Sequence, residues 1–389
     1  MSDSDSDTRT PTELDAVTEE ADVDTVALVD QLLDDAVSDG ASDVHFDPYD
    51  QGGGVRYRID GVFHEQRTLP EELYLRCLGR LKLLGGVTAY RQDVPQDGRI
   101  DRPAADLRLS VVPTPFGEKA VVRIFQTDRM ALAVADLGLS ASARARLESL
   151  LGLGQGAVLV TGPCSSGKTT TLYALLRRIL AARRDHAHVV TLEDPVECRL
   201  PGVTQLEVDP ERGVDFAAGL RALLRQDPEV LLVGEIRDPE TAQIAVEAAF
   251  TGHLVLSSLH AGTPAEAVAR LAQMEVAPYL LASAVAAVVN QRLLRRLCAK
   301  CGAAGGCPAC RGTGYHGRMA VAEVRRIDDR VRPLVLARAA TADLARLWSD
   351  DDTLSGDAER AVAAGVTTPA EVVRVLGDLA LRGGREEPS

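Results

Sequence analysis

AVLVTGPCSSGKTTTLYALL, residues 157–176, decides the fold of this chain. Ala157 to Thr161 is a short apolar run of the kind that forms a buried strand. From Lys168 the chain reads as a helix, to about residue 182. Between them, Gly162-Pro163-Cys164-Ser165-Ser166-Gly167-Lys168-Thr169 fills every fixed position of GxxxxGK[ST]. The glycines let backbone N–H groups turn toward phosphates, and the helix N-terminus adds positive potential. Lys168 reaches the β- and γ-phosphates, and the Thr169 hydroxyl, with Thr170 beside it, faces a Mg²⁺ ion. A chance glycine-rich turn gives no reason for the strand before it and the helix after it. Residues 162–170 are therefore the candidate site for ATP.

Outward from this loop, apolar runs alternate with helical ones, the pattern of an α/β fold. HVVTL (188–192), VLLVG (230–234) and LVLSSL (254–259) join AVLVT as candidate parallel strands, and a further helix covers 239–250. Ligands in such sheets bind at the carboxyl ends of the strands. TLEDPVE puts Glu193, Asp194 and Glu197 at one strand end. VLLVGEIRD puts Glu235 at another, beside Arg237 and Asp238. Phosphoryl transfer needs an acid to activate water and acids to hold the metal, so Glu235 reads as the working carboxylate. The alternative for Asp194 and Glu197 is ordinary solvated charge. In TGHLVLSSLHAGT, His253 precedes a strand and His260 follows it. Each reads equally as a satisfied polar residue or as a catalytic group.

Residues 23–126 read as a small α+β domain. Leu28, Val29, Leu32, Leu33, Ala36 and Val37 share one helical face, and Gly40 is a natural stop. VRYRI-DG-VFHEQ is a hairpin closed by Asp60-Gly61. PQDGRI (95–100) carries a second Asp-Gly pair, which predicts a second turn, and LRLSVV and KAVVRIF predict further strands. Residues 127–136 read as a linker and 137–297 as the ATPase core. Four of the seven cysteines follow in two C-x2-C pairs, Cys298/Cys301 and Cys307/Cys310. Two such turns complete a tetrahedral zinc site over 298–318, one with no open position for catalysis. After Cys310 the chain is Ala-rich and reads as helical over 319–382, with a polar tail at 383–389.

Charge narrows the function classes. Residues 1–50 hold sixteen acids and a single basic residue, Arg9, while the remainder is close to neutral, with 41 acids against 42 Lys and Arg. Residues 1–22 have too little apolar surface to order, and read as a disordered acidic tail. A nucleic-acid binder shows a basic domain, and none is present, so no direct nucleic-acid partner is expected. No apolar run reaches the ~20 residues that span a bilayer, and the N-terminus lacks signal-peptide character. The expectation is a cytoplasmic protein whose membrane work goes through a partner.

These motifs in this order resemble the ATPase family of type II secretion and type IV pilus assembly. The likeness is carried by GASDVHFDP, VRYRIDGVF, PQDGRI, GEKAVVRIF, GPCSSGKTTTLYALL, TLEDPVE, LLRQDPEVLLVGEIRDPETA, TGHLVLSSLHAGT, NQRLLRRLCAKC and GTGYHGRMAVAEV, from about Ala27 to about Gly377. The resemblance implies a RecA-like ATPase domain preceded by a small hinged domain, in a homohexamer acting on a polytopic inner-membrane platform protein. It implies an acidic box of Glu193, Asp194 and Glu197, with Asp194 and Glu197 toward Mg²⁺. Glu235 becomes the presumed base, with Glu193 as a further catalytic candidate. His253 and His260 fall in a histidine box, His260 on the catalytic side. Arg108 and Arg123 match arginines that approach the nucleotide, and Arg237 and Arg270 match arginines of the ATPase domain. The tetracysteine element is typical of the assembly branch, and retraction motors usually lack it.

The sequence departs from the family pattern at three places. Cys164 and Ser165 replace the usual Thr and Gly of the phosphate loop, five residues separate the cysteine pairs where a longer insert is usual, and the extra N-terminal domain of many members has no counterpart. Two other readings accompany the leading one of an assembly motor: a nucleotide-gated scaffold with little turnover, and a competence or retraction motor of a pilus.

Overall fold

The structure is a computed structural model describing residues 23–102, 105–125, 131–183, 187–302, 305–348 and 352–377. The two tails expected at 1–22 and 383–389, and the first part of the linker, lie outside the described residues. The chain divides into two compact units, Met1–Gln126 and Thr127–Ser389.

In the first unit, helices α1 (Thr25–Ser38) and α2 (Glu71–Leu84) accompany six strands: β1 (Asp43–Tyr49), β2 (Gly52–Ile59), β3 (Val62–Leu69), β4 (Gln96–Arg102), β5 (Ala105–Thr114) and β6 (Gly117–Phe125). Their order is β3-β2-β1-β6-β5-β4, antiparallel throughout. Asp24 caps α1, accepting from the backbone N–H of Val26 and Ala27. Alternation sends Val44, Phe46, Val55, Tyr57, Leu107, Leu109 and Val122 into one core with α1 and α2. The Tyr57 hydroxyl donates to the Leu32 carbonyl at 2.6 Å, tying sheet to helix. Asp60 and Gly61 take φ of 49° and 83°, both positive as a two-residue hairpin turn requires.

The opposite face carries one cross-strand row. Phe63, Arg58, Asp43, Arg123, Arg108 and Arg99 are successive partners across all six strands. The second Asp-Gly pair makes no turn. Asp97 and Gly98 lie inside β4, opposite Ser110 and Leu109. A Cβ on Gly98 would stand 2.2 Å from the Gly85 carbonyl oxygen, so this glycine serves close approach of two backbone segments.

The second unit is built on a seven-stranded sheet: β7 (Gly156–Thr161), β8 (Val189–Glu193), β9 (Thr204–Glu207), β10 (Val230–Val233), β11 (Leu254–Leu259), β12 (Val285–Leu297) and β13 (Tyr315–Arg326). The order is β13-β12-β7-β11-β10-β8-β9, parallel except for β13. Its helices are α3 (Ala141–Glu148), α4 (Lys168–Arg183), α5 (Phe216–Leu224), α6 (Pro239–Phe250), α7 (Pro264–Gln273), α8 (Pro278–Ala284), α9 (Arg332–Leu336), α10 (Thr341–Leu347), α11 (Leu354–Ala363) and α12 (Pro369–Leu376). Apolar clusters lie on both sides of the sheet, and for that reason its strands read as continuous apolar runs.

Two expectations change here. The end of the supposed linker is structured: Val134–Leu137 is a short 3-10 turn whose Val134 and Leu137 are buried among Leu147, Leu150 and Leu172. The stretch after Cys310 is not helical at first. Residues 315–326 form β13, paired along β12, and only the chain from Arg332 is helical. Alanine favours helix by propensity, but MAVAEV buries Met319 to Ala322 against β12 and a small apolar cluster, and pairing overrides propensity.

Candidate active site and metal centre

The phosphate loop leaves β7 and enters α4, at the carboxyl edge of the parallel strands. Gly162 has φ 147°, Ser165 59° and Gly167 86°. A Cβ on Gly162 would lie 2.5 Å from the Gln291 carbonyl oxygen, so only glycine lets the loop pass β12 so closely. The Lys168 ammonium donates to the carbonyls of Gly162 (3.0 Å) and Pro163 (2.9 Å), folded back on its own loop. Burial lowers the pKa of Lys168, and the charges of Cys164 and Glu235 oppose that shift. Thr169 is exposed in the first turn of α4, and Cys164 and Ser165 are exposed at the tip. These backbone donors, one lysine and one free hydroxyl fit a nucleoside triphosphate with its Mg²⁺.

Beside the loop, the ends of β8, β10 and β11 bring four side chains together. Glu235, 15% exposed, meets His260 Nε2 through Oε1 at 2.8 Å and accepts from Arg237 Nε through Oε2 at 2.7 Å. Arg237 also stands 3.6 Å from Asp194. A carboxylate, an imidazole and an arginine thus sit together on the strand edge that carries the phosphate loop.

The remaining expected residues fall differently. Glu193 is 3% exposed and accepts from Thr191 (2.6 Å), Gln205 (3.2 Å) and the buried Tyr173 hydroxyl. Its oxygens are engaged within the fold, in contacts that support the sheet. Burial, then the Glu193 contact, drives the Tyr173 phenol's pKa upward. His253 sits before β11, at the end opposite His260, about 23 Å away at strand rise. Its Nδ1 is 2.9 Å from the Ala248 carbonyl at the end of α6, a helix-capping contact. Glu197 lies in the segment after β8, and Arg270 is exposed in the last turn of α7. Arg108 and Arg123 belong to the first unit. Arg108 lies over the Phe125 ring at 4.6 Å, and Arg123, 65% exposed, bonds Asp43 at 3.2 Å.

Three residues the sequence reading left unassigned hold this site together. Asn290, Gln291 and Arg292 are consecutive on β12. Gln291, 1% exposed, donates to the Ser166 carbonyl (2.8 Å) and accepts from the Thr171 hydroxyl (2.8 Å), clamping the phosphate loop to α4. Asn290 and Arg292 both donate to the Gly262 carbonyl, at 2.8 and 3.1 Å. Their signal was visible: NQR interrupts an otherwise apolar buried strand.

The four cysteines occupy the loop between β12 and β13. Their sulfurs all lie within 4.8 Å of one another. Cys298–Cys307, Cys301–Cys310 and Cys307–Cys310 are 3.8, 3.6 and 3.7 Å apart. Sulfurs bound tetrahedrally at Zn–S distances of about 2.3 Å stand about 3.8 Å apart, so the cluster fits zinc.

Residues 18–374 match the family model described as Type II/IV secretion system protein. The chain is similar to Type II secretion system protein HxcR of Pseudomonas aeruginosa, 42% identical over 366 residues, covering 91% of this chain and 77% of that one. It is 36% identical over 394 residues to Type II secretion system ATPase E of Vibrio cholerae, covering 94% of this chain and 78% of that one. With Type IV pilus assembly ATPase PilB of Thermus thermophilus it shares 37% identity over 377 residues, 89% of this chain and 42% of the relative. Among solved structures, the pilus retraction motor PilT with bound ADP superposes with a TM-score of 0.62 at 27% identity, covering 88% of this chain and 95% of PilT. The ATPase DotB of Legionella pneumophila gives 0.69 at 21% identity over 96% of this chain and 98% of its own, a likeness of fold.

Proposed function

The chain belongs to the type II/IV secretion system protein family and is a P-loop ATPase of the secretion and pilus motors; from that premise we propose that it works as a Mg²⁺-dependent homohexamer on the cytoplasmic side of the inner membrane. In this reading it drives assembly of a type II secretion pseudopilus or type IV pilus through a polytopic platform protein. The observation that carries the reading is the Glu235–His260–Arg237–Asp194 group, on the same sheet edge as the phosphate loop. Residues 162–170 cradle the triphosphate. Thr169 and Asp194, with Glu197, hold Mg²⁺. Glu235 activates water once the nucleotide draws Lys168 and Arg237 toward its phosphates, and His260 orients Glu235. Arg108 and Arg123 stabilise charge on the transferring phosphoryl group. A zinc ion on Cys298, Cys301, Cys307 and Cys310 holds the β12–β13 loop. Among the described residues no helix is long and apolar enough to cross a membrane.

The test is steady-state phosphate release by the purified protein, with Mg²⁺ and with EDTA, alongside its mass by light scattering with and without a non-hydrolysable ATP analogue. Mg²⁺-dependent turnover by a six-chain particle supports the motor. Tight ATP binding with no turnover at any oligomeric state supports the scaffold reading instead.

A further inference from the structure

Arg292 is 8% exposed, yet among the described residues no carboxylate pairs with it. Its guanidinium donates to three neutral oxygens: Asn290 Oδ1 (2.9 Å), the Gln291 carbonyl (2.9 Å) and the Gly262 carbonyl (3.1 Å). The acid whose charge reaches it, Glu266, is exposed and already accepts from the Gly262 N–H at 2.8 Å. Burying a charge without a counter-charge is costly. A neutral donor would hold the same carbonyls at less cost, so the cation itself needs a reason. Its neighbours supply one. Its field reaches Lys168, the phosphate-binding lysine. Gln291, next in the strand, clamps the phosphate loop, and Gly262 lies two residues past His260, which pairs with Glu235.

We propose that Arg292 is a positioning residue for hydrolysis: it anchors the Gly262 carbonyl, and with it the His260 loop, to the strand that clamps the phosphate loop, and its uncompensated charge is balanced by the terminal phosphate of bound ATP. Lys168 and Arg292 repel one another across the site, a repulsion that a triphosphate relieves more fully than a diphosphate. The same contact that senses this charge fixes the loop on which Glu235 depends. This rests on the hydrolytic reading of the site.

The experiment measures kcat, the Kd of a fluorescent ADP and of a non-hydrolysable ATP analogue, and the melting temperature, for the full chain carrying Arg292→Gln, Arg292→Lys or Asn290→Ala. Arg292→Gln is expected to lose kcat by about tenfold or more with ADP affinity changed less than about threefold, and to lose most of its preference for the ATP analogue over ADP. Arg292→Lys keeps the charge and is expected to keep that preference while recovering part of kcat. Asn290→Ala removes the second hold on Gly262 and is expected to lower kcat alone, which keeps the positioning claim testable if arginine variants misfold. The proposal is overturned if Arg292→Gln retains kcat within about twofold, or if both Arg292 variants lose melting temperature, kcat and ADP affinity in step, the signature of a purely structural residue. It is equally overturned if Arg292→Gln keeps the ATP preference. A wild-type protein that binds both nucleotides without turnover would refute the hydrolytic reading, and the nucleotide preference would still report on Arg292.

Discussion

At the scale of single residues, the loop and its acid make separable demands. Lys168→Ala removes the main cationic phosphate contact, and we expect turnover to vanish together with ATP binding. Glu235→Gln preserves the shape and the His260 contact but cannot take a proton. It should bind ATP with near-native affinity and hydrolyse it about 10²–10³-fold more slowly, measured by single-turnover phosphate release. A Gln variant turning over near the native rate would remove Glu235 as the base. Ser165 tests the loop itself. It sits at φ 59°, where an L-residue costs about 1–2 kcal/mol and a β-branched one more. Ser165→Val should therefore destabilise the protein by about 1–2 kcal/mol, and Ser165→Gly should be neutral or slightly stabilising, since relieved strain is offset by glycine's chain entropy. Denaturant midpoints would show both. The loop and Glu235 were legible because each combines a chemical motif with a strand end. His253 and His260 each read alone as an ordinary polar residue; what separates them is the carboxyl-end rule, since His260 follows the strand and His253 precedes it. The polar NQR run was visible in the sequence, but bringing Gln291 and Arg292 to the site depends on β12 lying beside β7, a long-range pairing.

At the scale of elements, the β12–β13 hairpin and α12 carry the clearest energetics. We expect one zinc per chain, measured by metal analysis of untagged protein. Cys301→Ser should lower the melting temperature and metal content while leaving kcat within about threefold, because metal binding and local folding are coupled. Glu371 on α12 accepts from Arg295 of β12 at 2.7 and 3.0 Å and from Arg374 at 2.6 and 2.7 Å. Burial alone would raise its pKa, but these bonds outweigh burial and hold it down, to about 2 against an ordinary 4.5. A folded pKa below the unfolded one means the stabilisation is full above about pH 4.5 and drains away as pH falls toward 2. The linkage is on the order of 3 kcal/mol. Stability measured between pH 6 and pH 3 should fall more steeply in the native chain than in Glu371→Gln, which is less stable at neutral pH. Helices α1, α4 and α6 and strands β7, β8, β10 and β11 were legible from apolar spacing, whereas β12 was not among the strands read. β13 was not, because its Ala-rich run has helical propensity and becomes a strand only through β12.

At the scale of the whole molecule, the arginine row of the first unit poses the question of which chain completes which site. With Val134–Leu137 folded into the second unit, the connecting segment is about seven residues and spans at most about 25 Å, a short tether that favours a chain's own arginines over a neighbour's. We therefore expect Arg123 to act within one chain. Mixing Lys168→Ala with Arg123→Ala under subunit exchange should leave activity absent, whereas its recovery would place Arg123 across an interface. Full activity of Arg123→Ala alone would show that the Asp43 contact is all this arginine does. The row's composition was readable from the alternation of single strands, but its continuity required the strand order, which brings β1 beside β6. β12 runs from the phosphate loop's neighbourhood to the cysteine loop. Its middle residues grip the phosphate loop and its last residue adjoins Cys298; β7 pairs with it as far as Asn290, and β13 pairs on to Leu297. Beyond Gln291 the strand is held by β13 alone of the two and projects past the β7 edge, so a displacement at its base is carried along its length. From Gln291 to Cys298 its arm is about 23 Å, and a tilt of about 10° at the nucleotide end sweeps the cysteine end through about 4 Å. A tilt of the strand during turnover would thus be magnified at the cysteine loop.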